Sequence, residues 1–249
     1  IKLPEDLTAE KMAELCHADR PNRIYPISPV CEYAKGGGEV QTSAVGYGPN
    51  QYNGLNAQTD TFTLLRFDEM LNAQLLKCAG KEWDAYYWDD NNMLIGYNDG
   101  TGILAGIPMS TVYPSSTPFS TSSSKSTMTV NLCHMDAEDS QMNFDYYKLD
   151  FNPTNAVKGL TEVMLVEKET GKYQIVETIG GYDRTPDIGS VIAEAASTVM
   201  DGTTSASYEN GMITVVAGEG EIGLKSPSVL YENDIKWVEC VKVVKASKA

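Results

Sequence analysis

The alternation of apolar and polar positions is clearest in STMTVNLCHM (126–135). Met128, Val130 and Leu132 fall on one side and Thr127, Thr129 and Asn131 on the other, a period of two that predicts a strand with one buried face. TFTLLRF (61–67) reads as a second strand. DEMLNAQLLKCAG changes to helical spacing, with Asp68 as N-cap, Leu71, Leu75 and Cys78 on one face and Gly80 as the stop. WDAYYWDDNNMLIGYNDGTG (83–102) follows. It reads as a strand over 82–88, a turn at DDNN, a strand at MLIGYN and a second turn at NDGTG. The strand GILAGIPMSTVY comes next, then a Ser/Thr/Pro-rich loop, PSSTPFSTSSSKS (114–126). An acidic turn at Asp136, Glu138 and Asp139 and the segment FDYYKLDF close this block. Within it, Trp83, Tyr87, Leu94 and Ile95 are candidate packing residues.

Asn152-Pro153 and Asn155 mark a boundary. Beyond it, GLTEVMLVEKETGKYQIVETIGG reads as a hairpin turning at ETGK. Pro186 precedes a helix over 187–200, where Ile188, Val191, Ile192, Ala195, Ala196 and Val199 keep helical spacing until Asp201-Gly202. Strands at 211–217, 221–224 and 235–244 complete the chain.

The first sixty residues differ in texture. Thr8 caps a short helix that Pro21 and Asn22 stop. Residues 21–60 then hold Pro21, Pro26, Pro29 and Pro49, GGG at 36–38 and GYGPN at 46–50, which predicts an extended segment with short strands at best. The triple glycine lacks the GK[ST] ending of a phosphate cradle and reads as a hinge. Tyr25, Tyr33, Tyr47 and Tyr52 are interleaved in this segment, and tyrosines on extended chain gain ring contact with a neighbour at low entropy cost. We read it as an arm or long loop used in assembly, with a plain surface loop as the alternative.

No βαβ rhythm occurs, so a doubly wound sheet is not expected. The expected fold is mainly β with two short-to-medium helices. It comprises an extended N-terminal arm with a short helix (1–60), a β-sandwich or barrel core (61–153) and a smaller Ig-like β module with one helix (157–249).

Charge narrows the partners. The net charge is −15, spread along all 249 residues, which argues against sequence-specific nucleic-acid binding because phosphates require Lys and Arg. No apolar run reaches the length of a membrane span, so no membrane partner is expected, and no basic stretch followed by an apolar one opens the given sequence, which starts at Ile1 without a Met. Cys16, Cys31, Cys78, Cys133 and Cys240 are scattered and odd in number, which favours free thiols and assembly in a reducing cytoplasm.

Catalytic candidates are few. His17 and His134 are the two histidines, and neither stands near a nucleophile signature; a Ser–His–Asp triad would have to use His134. Cys16-His17 and Cys133-His134 lack zinc-site spacing. The DDNN and NDGTG stretches fail the EF-hand pattern and read as turns. A calcium ion at Asp89, Asp90 and Asp99 is the lesser alternative for those acids. Asp136, Glu138 and Asp139 with the abundant Tyr are the residues a carbohydrate-binding or glycan-hydrolysing protein would use. No cofactor is expected.

One resemblance adds to this. LNAQLLKCAGKEWDAYYWDDNNMLIGYNDGTGILAGIPMSTVYPSSTPF, then KSTMTVNLCHMDAEDSQMNFDYYKLDF, resembles virion structural proteins of tailed phages, above all of phages infecting Bacteroidota, crAss-like ones included. SPSVLYENDIKWVECVKVV is similar to the closing strands of the Ig-like module that such proteins carry. The resemblance implies a non-enzymatic protomer that self-assembles with other virion proteins, in a ring, tube or shell, after synthesis in the bacterial cytoplasm. A tail-tube-like subunit is favoured, since a negative lumen would let DNA slide. A capsid decoration or auxiliary protein is the alternative.

Overall fold

The computed structural model describes residues 7–27, 29–98, 100–117, 119–123, 125–218 and 220–245, so Asp99 lies outside the described residues. In chain order the elements begin with α1 (Ala9–His17), β1 (Val30–Gly37), β2 (Val40–Ser43), β3 (Gln51–Leu55), β4 (Gln58–Leu64) and α2 (Glu69–Cys78). Then come β5 (Trp83–Ala85), β6 (Tyr87–Trp88), β7 (Met93–Tyr97), β8 (Ile107–Thr117), β9 (Thr127–His134), α3 (Ala137–Met142), β10 (Phe144–Lys148) and α4 (Pro153–Ala156). The remainder is β11 (Thr161–Glu169), β12 (Lys172–Glu177), α5 (Thr185–Glu194), α6 (Ala196–Val199), β13 (Met200–Asp201), β14 (Thr203–Glu209), β15 (Met212–Ala217), β16 (Glu221–Leu224), α7 (Pro227–Glu232), β17 (Val238–Lys242) and β18 (Val244–Lys245). The protein is mainly β. Seven helices are present among the described residues where the sequence suggested two besides the arm helix; the additional ones, α3, α4, α6 and α7, have six residues or fewer.

Contacts divide the chain into two compact units. The first is Ile27–Pro153 with Leu7 and Thr8; the second joins Ala9–Pro26 to the chain from Thr154 on. The segment expected as a single arm is therefore shared out. Its helix α1 buries Met12, Cys16 and His17 in the second unit, while β1 forms part of the first unit's sheet.

In the first unit, an antiparallel sheet runs β1-β4-β9-β8-β5. Its inner face carries Leu64, Ile107, Met109, Val112, Met128, Val130 and Leu132, and Leu75 from α2 joins them. The α2 start is as its sequence suggests: Asp68 accepts from the Leu71 N–H. A smaller sheet, β10-β7-β6, has its own core of Leu94, Leu104 and Leu149. Strand β4 starts three residues earlier than TFTLLRF suggests, because Gln58 and Asp60 are buried despite their polarity. Strand β8 runs on through Pro114 to Thr117, into the segment expected to be loop. The proline is tolerated because β5 pairs only with Ile107–Met109, which leaves the outer side of β8 without a ladder at that point among the described residues.

The second unit holds the sheet β14-β15-β12-β11-β17, with β17 parallel to β11, and the small sheet β13-β16-β18. Sixteen buried residues form its core, among them Val163, Tyr173, Ile175, Ile192, Ile213 and Leu230. The β11–β12 hairpin is where ETGK predicts it. Two elements are hidden by their composition. TTSASYE is polar yet forms β14, turned into β15 by Asn210-Gly211, both at positive φ as a type I′ turn requires. SPSVLYE is α7, with Pro227 in its first turn.

Gly37, at the end of β1, has φ +73°, and a Cβ there would overlap the Ala57 carbonyl oxygen. Gly37→Ala is expected to destabilise the first unit by about 2 kcal/mol or more, from left-handed backbone strain plus the clash. Urea unfolding measures this; an unchanged midpoint would mean that residues 37–58 shift freely.

Candidate functional site

The inner face of β4 changes character along its length. Leu64 and Phe62 pack among apolar neighbours, but Asp60 and Gln58 continue the same side into a buried polar cluster. Asp60 is 1% exposed and takes four donors. Its Oδ1 accepts from the Tyr33 hydroxyl (2.9 Å) and Gln58 Nε2 (3.2 Å), and its Oδ2 from the Tyr87 hydroxyl (3.0 Å) and His134 Nε2 (2.7 Å). His134 stands on β9 two residues beyond Leu132, the cross-strand partner of Asp60, so the two side chains meet diagonally on one face. Gln141 from α3 extends the network, donating to Gln58 Oε1 (2.8 Å) and to the Gly38 carbonyl (3.2 Å).

The electrostatics follow from burial and these bonds. Burial by itself pushes the Asp60 carboxyl up, but the donors from His134, Tyr33 and Gln58 outweigh it and hold the group below the usual carboxylate range. Burial raises both Tyr33 and Tyr87, and the Asp60 charge and hydrogen bond raise them further, so both remain phenols. The proton between the acid and the imidazole is on Nε2. Nδ1 has no hydrogen-bond partner among the described residues. The acid–imidazole half of a triad is thus present, but no described hydroxyl or thiol bonds to the second ring nitrogen. The cluster ties β1, β4, β6 and β9 together.

Around it lies an exposed surface. Every β1 residue but the last is exposed, and so are all of β2 and most of β3. From Val40 to Thr59 the chain carries no Asp, Glu, Lys or Arg, although its net charge is −15. The four tyrosines of the expected arm have separate fates. Tyr33 is 53% exposed, with its ring against Phe62 and its hydroxyl on Asp60. Tyr52 is exposed, and its hydroxyl bonds Glu138, which raises the phenol pKa. Tyr47 is fully exposed between β2 and β3, beside exposed Val45. Tyr25 belongs to the second unit, where Arg20 and Arg23 lie over its ring at 5.8 and 5.9 Å.

The acidic candidates do local work. Asp89 Oδ1 accepts from the N–H groups of Asn91 and Met93, both at 2.9 Å, closing the turn; these bonds, that to Met93 first, lower its pKa. Lys148 Nζ donates to the Asn91 carbonyl beside it. Asp90 is exposed. Among the described residues no three His, Cys, Asp or Glu side chains form a group that could hold a metal. The acidic turn at 136–139 is the start of α3: Asp136 caps it, accepting from the Glu138 and Asp139 N–H groups. Asp139 accepts from the Tyr97 hydroxyl at 2.8 Å.

In the second unit His17 is 1% exposed and fully engaged. Its Nδ1 donates to the Ala13 carbonyl (2.7 Å) and its Nε2 accepts from the Trp237 N–H (2.9 Å), which fixes the neutral tautomer. Both nitrogens are thereby unavailable to a metal. Burial lowers its pKa, as do the charges of Arg23 and Lys236, against the opposing bond to Ala13. Next to it, burial pushes the Cys16 thiol up to about 11. An open hollow of about 520 Å³ adjoins His17, lined also by Glu14, Asp19, Ser228, Tyr231 and Glu232. Sequence reasoning missed the Asp60 cluster and the role of His17, since nothing adjacent to either residue in the chain announces its partners. Compared with known proteins, the chain matches no family model, and no curated protein is similar to it in sequence.

Proposed function

We propose that this chain is a non-enzymatic structural subunit of a bacteriophage virion, self-assembling through residues 30–55 into a ring, tube or shell, with a tail-tube-like role favoured. In this reading the first unit is a β-sandwich or barrel module and the second an Ig-like module. One observation carries the proposal: an exposed, tyrosine-bearing surface whose stretch from Val40 to Thr59 holds no charged residue on an otherwise acidic chain, with the hydroxyls of Tyr52 in that stretch and of Tyr33 before it held by acids of the same unit. Rings fixed in advance lose little entropy on contact, and repulsion between acidic copies is weakest where charge is absent. The sequence resemblance to phage virion proteins supplies the biological setting.

Deleting residues 1–55 would remove α1 from the core of the second unit and β1 from the sheet of the first, so finer variants are required. Wild-type protein at high concentration is expected to form regular particles by electron microscopy and light scattering. Val45→Ser with Tyr47→Ser and Tyr52→Ser should raise the assembly concentration by about tenfold or more, the effect of losing roughly 1.4 kcal/mol of contact energy, with the fold intact by circular dichroism. A wild-type protein that stays monomeric at high concentration, alone and with its particle's other proteins, overturns the proposal.

A further inference from the structure

We infer that the free margin of β1 pairs antiparallel with β1 of a second copy about a twofold axis at Ala34, joining two five-stranded sheets into one. This rests on the assembly reading and names one contact of it, the pairing of copies into twofold dimers; growth into a ring, tube or shell needs a further contact, for which β2 and most of β3 are exposed. Among the described residues β1 stands last in its sheet, with β4 on one side only, and seven of its eight residues are exposed. An unpaired strand margin is a ready template for another strand.

Charge and register select a second copy as the occupant. β1 carries one acid, Glu32, and one base, Lys35, and the charge-free stretch from Val40 follows closely. In an antiparallel pair, opposed residues share both side-chain face and hydrogen-bonding sense, so the two residue numbers must sum to an even value. With Ala34 on the axis, Tyr33 opposes Lys35 of the partner subunit, and Glu32 opposes Gly36 of the partner subunit, each contact occurring twice. No like charges meet, and each lysine reaches a tyrosine ring whose hydroxyl is already held by Asp60. Ala34 is small enough to face its own copy. The opposite margin of the same sheet is unsuited to a head-to-tail alternative: β8 lacks an N–H at Pro114, and the Gly80 N–H is bonded to its Thr111 side chain. A self-complementary contact that closes on itself is the geometry left.

Cysteine trapping on the full chain tests this. In a Cys31→Ser background, Ala34→Cys is expected to give a 34–34 disulfide dimer under mild oxidation, identified by mass spectrometry, because opposed Cβ atoms come within bridging reach. Glu32→Cys, which opposes glycine, should give at least tenfold less. Ala34→Glu, which sets two carboxylates on the axis of a solvent-exposed position, should weaken dimers at least tenfold in sedimentation with unchanged circular dichroism. Absence of the 34–34 link, equal linking at 32, or capture of a foreign protein by the introduced thiol overturns the β1 contact. If wild-type particles form while the link fails, the assembly reading stands and this contact falls. If the link forms without particles, the contact stands and the virion reading falls.

Discussion

Asp60→Ala is expected to destabilise the first unit by about 3–5 kcal/mol, the usual cost of removing one partner from a buried charged network. The removed carboxylate is the common acceptor for Tyr33, Tyr87, Gln58 and His134, so four donors lose their partner together. Asp60→Asn keeps the shape but replaces one oxygen with a donor that faces other donors, and should cost less. Urea unfolding resolves the two, and a loss under about 1 kcal/mol for Asp60→Ala would show that the strands are held by their apolar contacts alone. The same cluster sets an acid limit. The Asp60 carboxyl lies below its ordinary value in the folded state, so the unfolded chain takes up its proton first. The stability this contributes is complete above about pH 4 and is lost as pH falls through the folded value. Asp60→Asn should flatten that acid limb.

Much of the architecture is legible in the chain, and the failures share a cause. Regular alternation marks β9, and helical spacing with Asp68 and Gly80 marks α2, because local pattern and tertiary burial agree there. The beginning of β4 escapes the pattern because Gln58 and Asp60 are polar residues on a buried face, a choice that makes sense only once His134, more than seventy residues away, is in place. β14 escapes it because its polar sequence hides a strand that only the Asn210-Gly211 turn announces. The candidate surface is half legible. The tyrosines stand out in the sequence, but Tyr25 belongs to a different unit from the other three, and a one-dimensional spacing does not carry that separation.

His17→Ala is expected to destabilise the second unit by about 3 kcal/mol, combining a buried cavity with two lost hydrogen bonds. The ring links α1 to residues 231 and 237, stacking on Tyr231 at 4.4 Å and meeting Trp237 at 4.5 Å. Trp237 itself has φ +64°, a costly conformation for a bulky residue, sustained by its N–H on His17 and its carbonyl accepting from the Thr161 N–H. Protonating His17 puts a second N–H against that of Trp237 and removes the support. Because burial lowers the His17 pKa, the unfolded chain binds this proton first as pH falls below about 6.5. Stability therefore declines with falling pH from that point down to the folded value, a decline that begins at a higher pH than that of Asp60. His17→Gln should be less stable at neutral pH yet show a flatter profile between about pH 6.5 and 5, as urea midpoints across that range would register. A profile as steep as wild type would assign the acid sensitivity to another group and leave His17 as packing alone.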